Sequence, residues 1–187
     1  MREAALVADE VGLDNLTLAA VAVRLGVRLP SLYKHVDGLG GLRRDLAVRA
    51  VRELGEVMSA AAVGRSERDA LRAIADAYRA YARAHPGSYA ATVRAPAKED
   101  VQHATAADAV LRVVFAVLVG YGISGEDAID ATRALRAAMH GFVTLEAEDG
   151  FGMPQDVDRS YRRLIEALHV SFTAWGMRSI EGAIWYE

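Results

Sequence analysis

Residues 16–36 read LTLAAVAVRLGVRLPSLYKHV, and the architecture of the N-terminal region can be worked out from them. Thr17 is a residue type that caps helix N-termini, and apolar residues then recur at three- and four-residue spacing. Gly26 is suited to end that helix because glycine adopts a positive φ without steric cost. Pro30 can open the next helix, since a proline in the first turn gives up no hydrogen bond. The stretch predicts two helices of about eight residues joined by a tight turn at 26–28.

A supporting helix is predicted at residues 2–12, and the three helices together match a helix-turn-helix arrangement. Val27 is predicted to anchor the turn on the core, while the second helix exposes polar and basic side chains. From Arg24 to Arg52 the chain has seven basic and two acidic residues, a net charge of +5, although the whole chain carries −3. Residues 53–187 carry −5. The N-terminal region is therefore suited to a polyanion such as DNA.

The same stretch resembles the head motif of the tetracycline-repressor (TetR) family. The resemblance is carried by Leu16-Thr17-Leu18, Val21-Ala22, Leu25-Gly26-Val27 and Ser31-Leu32-Tyr33-Lys34-His35-Val36. It implies that Thr17 and Tyr33 hydrogen-bond to DNA phosphates and that Lys34 pairs with a phosphate. The residues that it implies face the major groove are Arg28, Leu29, Pro30 and Ser31.

The sequence also departs from that motif. Val36 stands where an aromatic residue is common, Gly40-Gly41 stands where an acid–lysine pair often opens the fourth helix, and no basic arm precedes the first helix. The second departure moves the candidate phosphate contact to Arg43 or Arg44. His35 is a further candidate DNA-contacting residue, with the alternative that it packs the head, as Tyr33 also could.

The remainder of the chain predicts helices and no strands, because its four prolines leave long stretches uninterrupted and strict alternation is absent. The expected fold class is all-α, with a three-helix head joined by a long helix to a larger helical body. The predicted helical segments are 39–59, 66–85, 88–93, 98–121, 124–148 and 156–177. The helix at 98–121 is expected to be the central core helix because it is apolar over most of its circumference. The predicted domains are 1–46 for DNA binding, 47–178 for ligand binding and dimerisation, and 179–187 as a tail.

Arg136–Glu146 looks like a helix of a TetR subgroup in which His and Gly recur before an aliphatic segment. The resemblance implies a four-helix dimer interface formed by 124–148 and 156–177, with core packing as the alternative for the apolar strip. The candidate interface residues are His140, Leu145, Leu164, Leu168 and Phe172. The candidate ligand-pocket residues are Tyr78, Tyr81, Tyr89, His103, Phe115, Met139, Phe142 and Trp175. Few cations are available to the interior, which favours a neutral or apolar effector.

These features predict a ligand-responsive repressor that binds double-stranded operator DNA as a homodimer and needs no cofactor or metal. The chain contains no cysteine, which excludes thiolate chemistry and Cys-ligated zinc. Its longest apolar run, Val113–Val119, is short of the ~20 residues of a membrane span, so a soluble, cytoplasmic protein without membrane association is expected. One alternative is a helical-bundle enzyme, but Glu166-x-x-His169 is a single motif where di-iron bundles need two. Another is a ligand-binding or interaction module that lacks specific DNA binding.

Overall fold

The computed structural model describes the backbone of residues 1–184 and the side chains of residues 1–177. The described residues form α-helices and no strand, which confirms the all-α prediction. The helices are α1 (Arg2–Val11), α2 (Leu18–Leu25), α3 (Leu29–Leu32), α4 (Gly38–Ala62), α5 (Glu67–Ala84), α6 (Pro86–Ala91), α7 (Val101–Gly120), α8 (Gly125–Ala147) and α9 (Val157–Ile184). The predicted tail overlaps α9 up to Ile184, and its residues 185–187 lie outside the described residues.

The chain divides into two compact units. Met1–Gly55 and Tyr81–Asp108 form the first, here called the head unit. Glu56–Ala80 and the residues from Ala109 onward form the second, here called the body unit. The head unit thus contains the predicted helix-turn-helix together with a second, distant segment of the chain.

The helix-turn-helix forms largely as its capping residues predict. The Thr17 side chain accepts a hydrogen bond from the backbone N–H of Ala20 at 3.1 Å, which caps α2. Gly26 ends α2 in the left-handed conformation, with φ of 67°. The helix α3 contains only four residues, fewer than predicted. A turn follows it, in which the His35 N–H donates to the Leu32 carbonyl at 2.9 Å. The prediction for Val27 was wrong: its side chain is 44% exposed, and only its backbone N–H is tied down, by a 3.0 Å hydrogen bond to the Ala22 carbonyl of α2.

The short helix α6 packs directly against α1 in the head unit. Its Ala91 belongs to the same apolar core as buried residues of α1 to α4. A Cβ atom at Gly87 would overlap the backbone of Ala8 and lie 2.7 Å from the backbone nitrogen of Asp9. The Asp9 carboxylate accepts the Ser88 N–H at 2.7 Å and lies 3.2 Å from the His85 Nδ1 atom. Close backbone packing and a carboxylate at the start of α6 therefore attach this helix to α1.

The body unit contains a buried arginine with two acidic partners. Arg79 of α5 is 9% exposed, and its guanidinium donates to the Glu146 carboxylate and to Asp158 at 2.7 Å. It also lies 5.6 Å from the Phe142 ring centroid and 4.8 Å from that of Tyr161. The hydrogen bond to Glu146 is the main reason that the pKa of Arg79 is raised, so the side chain stays charged. This cluster connects α5, α8 and α9.

A second buried polar contact in the body unit belongs to Tyr161, which is 1% exposed. Its hydroxyl donates to the Ala75 carbonyl at 2.6 Å, and burial raises its pKa. Its ring packs on that of Phe142 at a centroid distance of 4.9 Å, and Phe142 in turn packs on Phe151 at 4.7 Å. The Tyr161 hydroxyl therefore has a hydrogen-bond partner, while the Tyr161 ring contributes to the aromatic core.

The expectation that α7 is the central core helix was wrong. Leu118 and Val114 are buried, but Val119 is 65% exposed and Leu111 is 37% exposed. Only 28% of the most apolar window of α7 is buried, and that window has the length and hydropathy sufficient for a membrane span. The window is longer than the run Val113–Val119 because it continues past Arg112 and Asp108 into further residues of α7. Length and hydropathy alone also describe helices that pack inside soluble proteins, so they carry no further conclusion.

Candidate functional site

The side chains implied to contact DNA lie mostly on the surface of the helix-turn-helix. The exposed ones are Arg28, Pro30, Ser31, Tyr33, Lys34 and His35, while Leu29 is half-buried. Tyr33 is 57% exposed, and the exposure of both Tyr33 and His35 speaks against the alternative that they pack the head. Within the described part of the chain, the Arg28 and Lys34 side chains have no ion-pair partner. Both cations are available to a ligand.

Thr17 combines a capping role with a free donor. Its Oγ1 atom accepts the Ala20 N–H at 3.1 Å, yet the side chain is exposed. A hydroxyl carries one donor as well as its acceptor lone pairs. The hydroxyl proton can thus point away from the helix to a phosphate while the oxygen continues to cap α2.

Arg43 and Arg44, the candidate phosphate contacts of α4, both have partners within the head unit. The Arg43 Nη2 atom donates to the carbonyls of Leu13 at 3.1 Å and Asp14 at 3.0 Å, which holds the turn between α1 and α2. Arg44 binds Asp100 in a two-point contact, through Nε at 2.7 Å and Nη2 at 2.6 Å. Arg43 is therefore positioned as a support for the helix-turn-helix, and Arg44 as a contact to the start of α7.

Asp100 is an acidic residue of the head unit that the sequence analysis did not single out. Its carboxylate is 11% exposed and also accepts the backbone N–H of His103 at 3.0 Å. The hydrogen bond from Arg44, followed by that from the His103 N–H, lowers the pKa of Asp100 from 3.8 to about 2. The spacing of 56 residues between Arg44 and Asp100 explains why no local pattern indicated the pair.

The depressed pKa of Asp100 predicts how the bridge responds to acid. The ionised carboxylate stabilises the fold above the ordinary pKa of 3.8, and this contribution is lost as the pH falls through about 2. We expect wild type to unfold at a higher temperature than Asp100→Asn above about pH 4, with the difference shrinking at lower pH. Thermal unfolding followed by circular dichroism between about pH 6 and about pH 2 measures this difference. A difference that stays constant over the range would contradict the prediction.

Other basic residues of the head are also neutralised locally. Arg24 lies 2.8 Å from Glu10 and 3.4 Å from Glu3, and Arg49 pairs with Glu53 at 2.8 Å. The net charge of the segment therefore overstates the number of free cations. The exposed Arg28 and Lys34 stand out from this background.

The candidate ligand-pocket residues are distributed over both units. Tyr81, Tyr89 and His103 lie in the head unit, and all three are buried. The Tyr81 hydroxyl donates to Glu53 at 3.2 Å, and burial is the main cause of its raised pKa. In the body unit, the buried candidates are Tyr78, Met139 and Phe142, while Phe115 and Trp175 are half-buried.

The candidate interface residues differ in how much surface they leave free. Leu145 is 48% exposed, while His140, Leu164 and Leu168 are half-buried. Phe172 is only 1% exposed, and its ring packs on Tyr121 of the same chain at 5.9 Å. Phe172 thus has little surface to offer a partner. Its burial agrees with the alternative that this part of the apolar strip packs in the core.

The residues of the possible metal motif are occupied by other contacts. Glu166 pairs with Arg68 at 2.9 Å, and the His169 Nδ1 atom lies 2.9 Å from the Tyr121 hydroxyl. Across the described residues, no group of three or more His, Cys, Asp or Glu side chains is arranged to hold a metal ion. The arrangement gives the di-iron alternative no support.

Comparison with known proteins places this geometry in a family. Residues 71–168, more than half of the chain, match the family described as tetracyclin repressor-like, C-terminal domain. A TetR variant from Acinetobacter baumannii in complex with minocycline shares the fold, with a TM-score of 0.69, 23% identity, and coverage of 93% of this chain and 94% of that one.

Two relatives are similar over about four fifths of this chain. An uncharacterized HTH-type transcriptional regulator of Mycobacterium tuberculosis is 40% identical over 151 residues, which span 80% of this chain and 68% of the relative. Another, from Bacillus subtilis, is 35% identical over 155 residues, which span 82% of this chain and 80% of the relative. Such regulators are not enzymes, and the enzyme alternative is set aside. The chain belongs to the tetracycline-repressor-like (TetR) family of HTH-type transcriptional regulators.

Proposed function

We propose that the protein is a ligand-responsive repressor that binds double-stranded operator DNA as a homodimer and releases it when a small, largely apolar molecule binds. The observation that carries the DNA-binding half of this proposal is the free, exposed polar set on the helix-turn-helix: Arg28, Ser31, Tyr33 and Lys34. Phosphate contacts from such side chains position a protein on DNA, and base-edge contacts give sequence specificity.

Within residues 1–46, taken as the DNA-binding segment, each exposed group has a chemical role. Thr17, Tyr33 and Lys34 are assigned to phosphates, and His35 to a further contact with the DNA. Arg28 can donate two hydrogen bonds to one guanine edge. Ser31 can bond to a base, while Leu29 and Pro30 offer only apolar contact such as that with a thymine methyl group.

Residues 47–178 are assigned to effector binding and dimerisation, with α8 and α9 as the dimer helices. Apolar side chains remain exposed on these two helices: Ile129, Leu145, Val170 and Met177. Their burial against a second copy would remove apolar surface from water. We also propose, from the pattern in Arg136–Glu146, that the protein belongs to the subgroup with the His-Gly motif and that it acts in the cytoplasm.

Release from DNA is assigned to a population shift. The effector favours a conformation in which α4 tilts and changes the distance between the two recognition helices of the dimer. Half-sites on DNA are spaced by roughly one helical turn, ~34 Å, so a change of a few ångströms weakens binding.

The proposal is tested by binding to the DNA upstream of the protein's own coding sequence at several salt concentrations. We expect tight, sequence-selective binding that weakens as salt rises. Lys34→Ala should lower the slope of log affinity against log salt by about 1, because one phosphate contact is lost. Tyr33→Ala should weaken binding to all sequences, and Arg28→Ala should cost about 1–3 kcal/mol of discrimination between bases.

Arg72→Ala is the matched control, since it removes one exposed positive charge from α5, in the body unit. It should leave the affinity and the salt slope unchanged. Binding that is equally weak on every duplex, or indifferent to Tyr33→Ala and Lys34→Ala, would exclude the repressor and favour a ligand-binding module without specific DNA binding.

A further inference from the structure

His103 is a buried polar residue whose ring lacks a complete set of partners. It lies in the first turn of α7, in the head unit, and is 6% exposed. Among the described side chains, its Nε2 atom is buried without a hydrogen-bond partner. Nearly all buried polar groups in folded proteins are hydrogen-bonded, because an unpaired one destabilises the fold. An unpartnered ring nitrogen at this depth is therefore costly unless a molecule from outside the chain, such as a ligand, pairs with it.

The chemistry of the imidazole restricts the class of that ligand. A neutral imidazole nitrogen donates or accepts a hydrogen bond according to its tautomer. A hydroxyl group can also do either, so it matches His103 in both tautomers. A charged group would lose its hydration at this depth, which disfavours it. The matching ligand is an uncharged, largely apolar molecule with a hydroxyl group.

His103 is also connected to the helix that follows the helix-turn-helix. Its backbone N–H donates to Asp100 Oδ1 at 3.0 Å, and the Arg44 Nη2 atom donates to the same oxygen at 2.6 Å. The Arg44 Nε atom binds the other carboxylate oxygen at 2.7 Å. One carboxylate therefore caps the turn that carries His103 and holds α4 through Arg44.

We propose that His103 binds the hydroxyl group of the effector and that the Asp100 carboxylate transmits this binding to Arg44 of α4. The proposal rests on the proposed function, since it names the effector class and the first contacts on the way to the DNA-binding helices. A ligand that shifts the first turn of α7 displaces the Asp100 oxygen that Arg44 also uses. Coupling of this kind requires that one binding event changes the surroundings of both the His103 ring and the Arg44 side chain.

The test uses phenol as the probe and toluene as its near-isosteric control, which has a methyl group in place of the hydroxyl. Full-length protein is labelled with carbon-13 at the histidine rings and with nitrogen-15 at the arginine side chains. The signals are assigned with His103→Phe and Arg44→Lys. We expect phenol at millimolar concentration to shift the His103 ring signal and the Arg44 Nε signal in a saturable manner, and toluene to shift neither.

Asp100→Asn separates the site from the coupling, because asparagine also caps helices while losing the charge that holds Arg44. In this variant phenol should still move the His103 signal but no longer that of Arg44. A His103 signal that ignores phenol in the wild type would overturn the site. A wild-type Arg44 signal that ignores phenol while His103 responds would overturn the coupling. Operator binding by the wild type decides the proposed function separately.

A stability measurement distinguishes a ligand-binding role from a structural one without any probe. Replacement of His103 by phenylalanine removes the unpaired nitrogen and keeps an aromatic ring. We expect the unfolding temperature to rise by roughly 2–4 °C. A fall of similar size would show that the imidazole stabilises the fold, and would overturn its assignment to the effector.

Discussion

Replacement of Arg79 by alanine is expected to lower the free energy of unfolding by about 3–5 kcal/mol. The side chain is 11% exposed, and its removal leaves the Glu146 carboxylate, 17% exposed, without its guanidinium partner. Breaking a buried ion pair on one side is costly because the remaining charge stays desolvated. The variant also loses the packing of the guanidinium over the rings of Phe142 and Tyr161. Urea unfolding at neutral pH measures the change.

Arg72→Ala is the matched control for this prediction because it lies on the same helix, α5. Its pair with Asp76 spans 3.8 Å, with the two side chains 62% and 54% exposed. Exposed pairs of this kind contribute about 0.3–0.5 kcal/mol, so the control should be almost as stable as the wild type. Equal losses in the two variants would show that Arg79 contributes no more than a surface pair.

The second large effect is expected for Gly87→Ala. The added Cβ would overlap the Ala8 backbone and lie 2.7 Å from the Asp9 nitrogen. Backbone atoms cannot move aside by changing rotamer, so α6 must separate from α1. Overpacking of this kind costs about 1–3 kcal/mol, and we expect the upper end because the clash is with main chain. The unfolding temperature should fall by roughly 6–12 °C for about 3 kcal/mol.

Gly40→Ala serves as its control within the head unit. A Cβ at Gly40, in the first turns of α4, meets no atom within 4 Å. Alanine is favoured over glycine in helices, so this variant should be more stable by about 0.4–1 kcal/mol. If Gly87→Ala gains stability in the same way, α6 and α1 do not pack as closely as described.

The helices could be predicted well because their ends carry local signals. Thr17 and Gly26 fixed the limits of α2, and both act as expected. The segment predicted to start at residue 124 forms α8 from Gly125, although the Ser124 side chain before it makes no capping hydrogen bond. The burial of α7 could not be predicted, because an apolar helix has the same sequence pattern whether its own chain covers its faces or leaves them exposed.

The exposed DNA-contacting candidates were predictable from one contiguous motif, whereas the roles of Arg43 and Arg44 were not. Counting charges treats every arginine as available. In the structure, Arg43 binds carbonyls about 30 residues earlier and Arg44 binds Asp100, 56 residues later. Partners so far apart in the chain produce no periodic pattern in a single sequence. The arginines that have partners could therefore be distinguished from those that do not only in the three-dimensional structure.

The composition of the head unit has a practical consequence for protein engineering. Its two chain segments, Met1–Gly55 and Tyr81–Asp108, share one apolar core through Ala91 of α6. A chimera that exchanges only the N-terminal segment between relatives would combine α1 of one protein with α6 of the other. The mismatch would lie where Gly87 meets the α1 backbone. Transplanting the helix-turn-helix between relatives therefore calls for grafting both segments together.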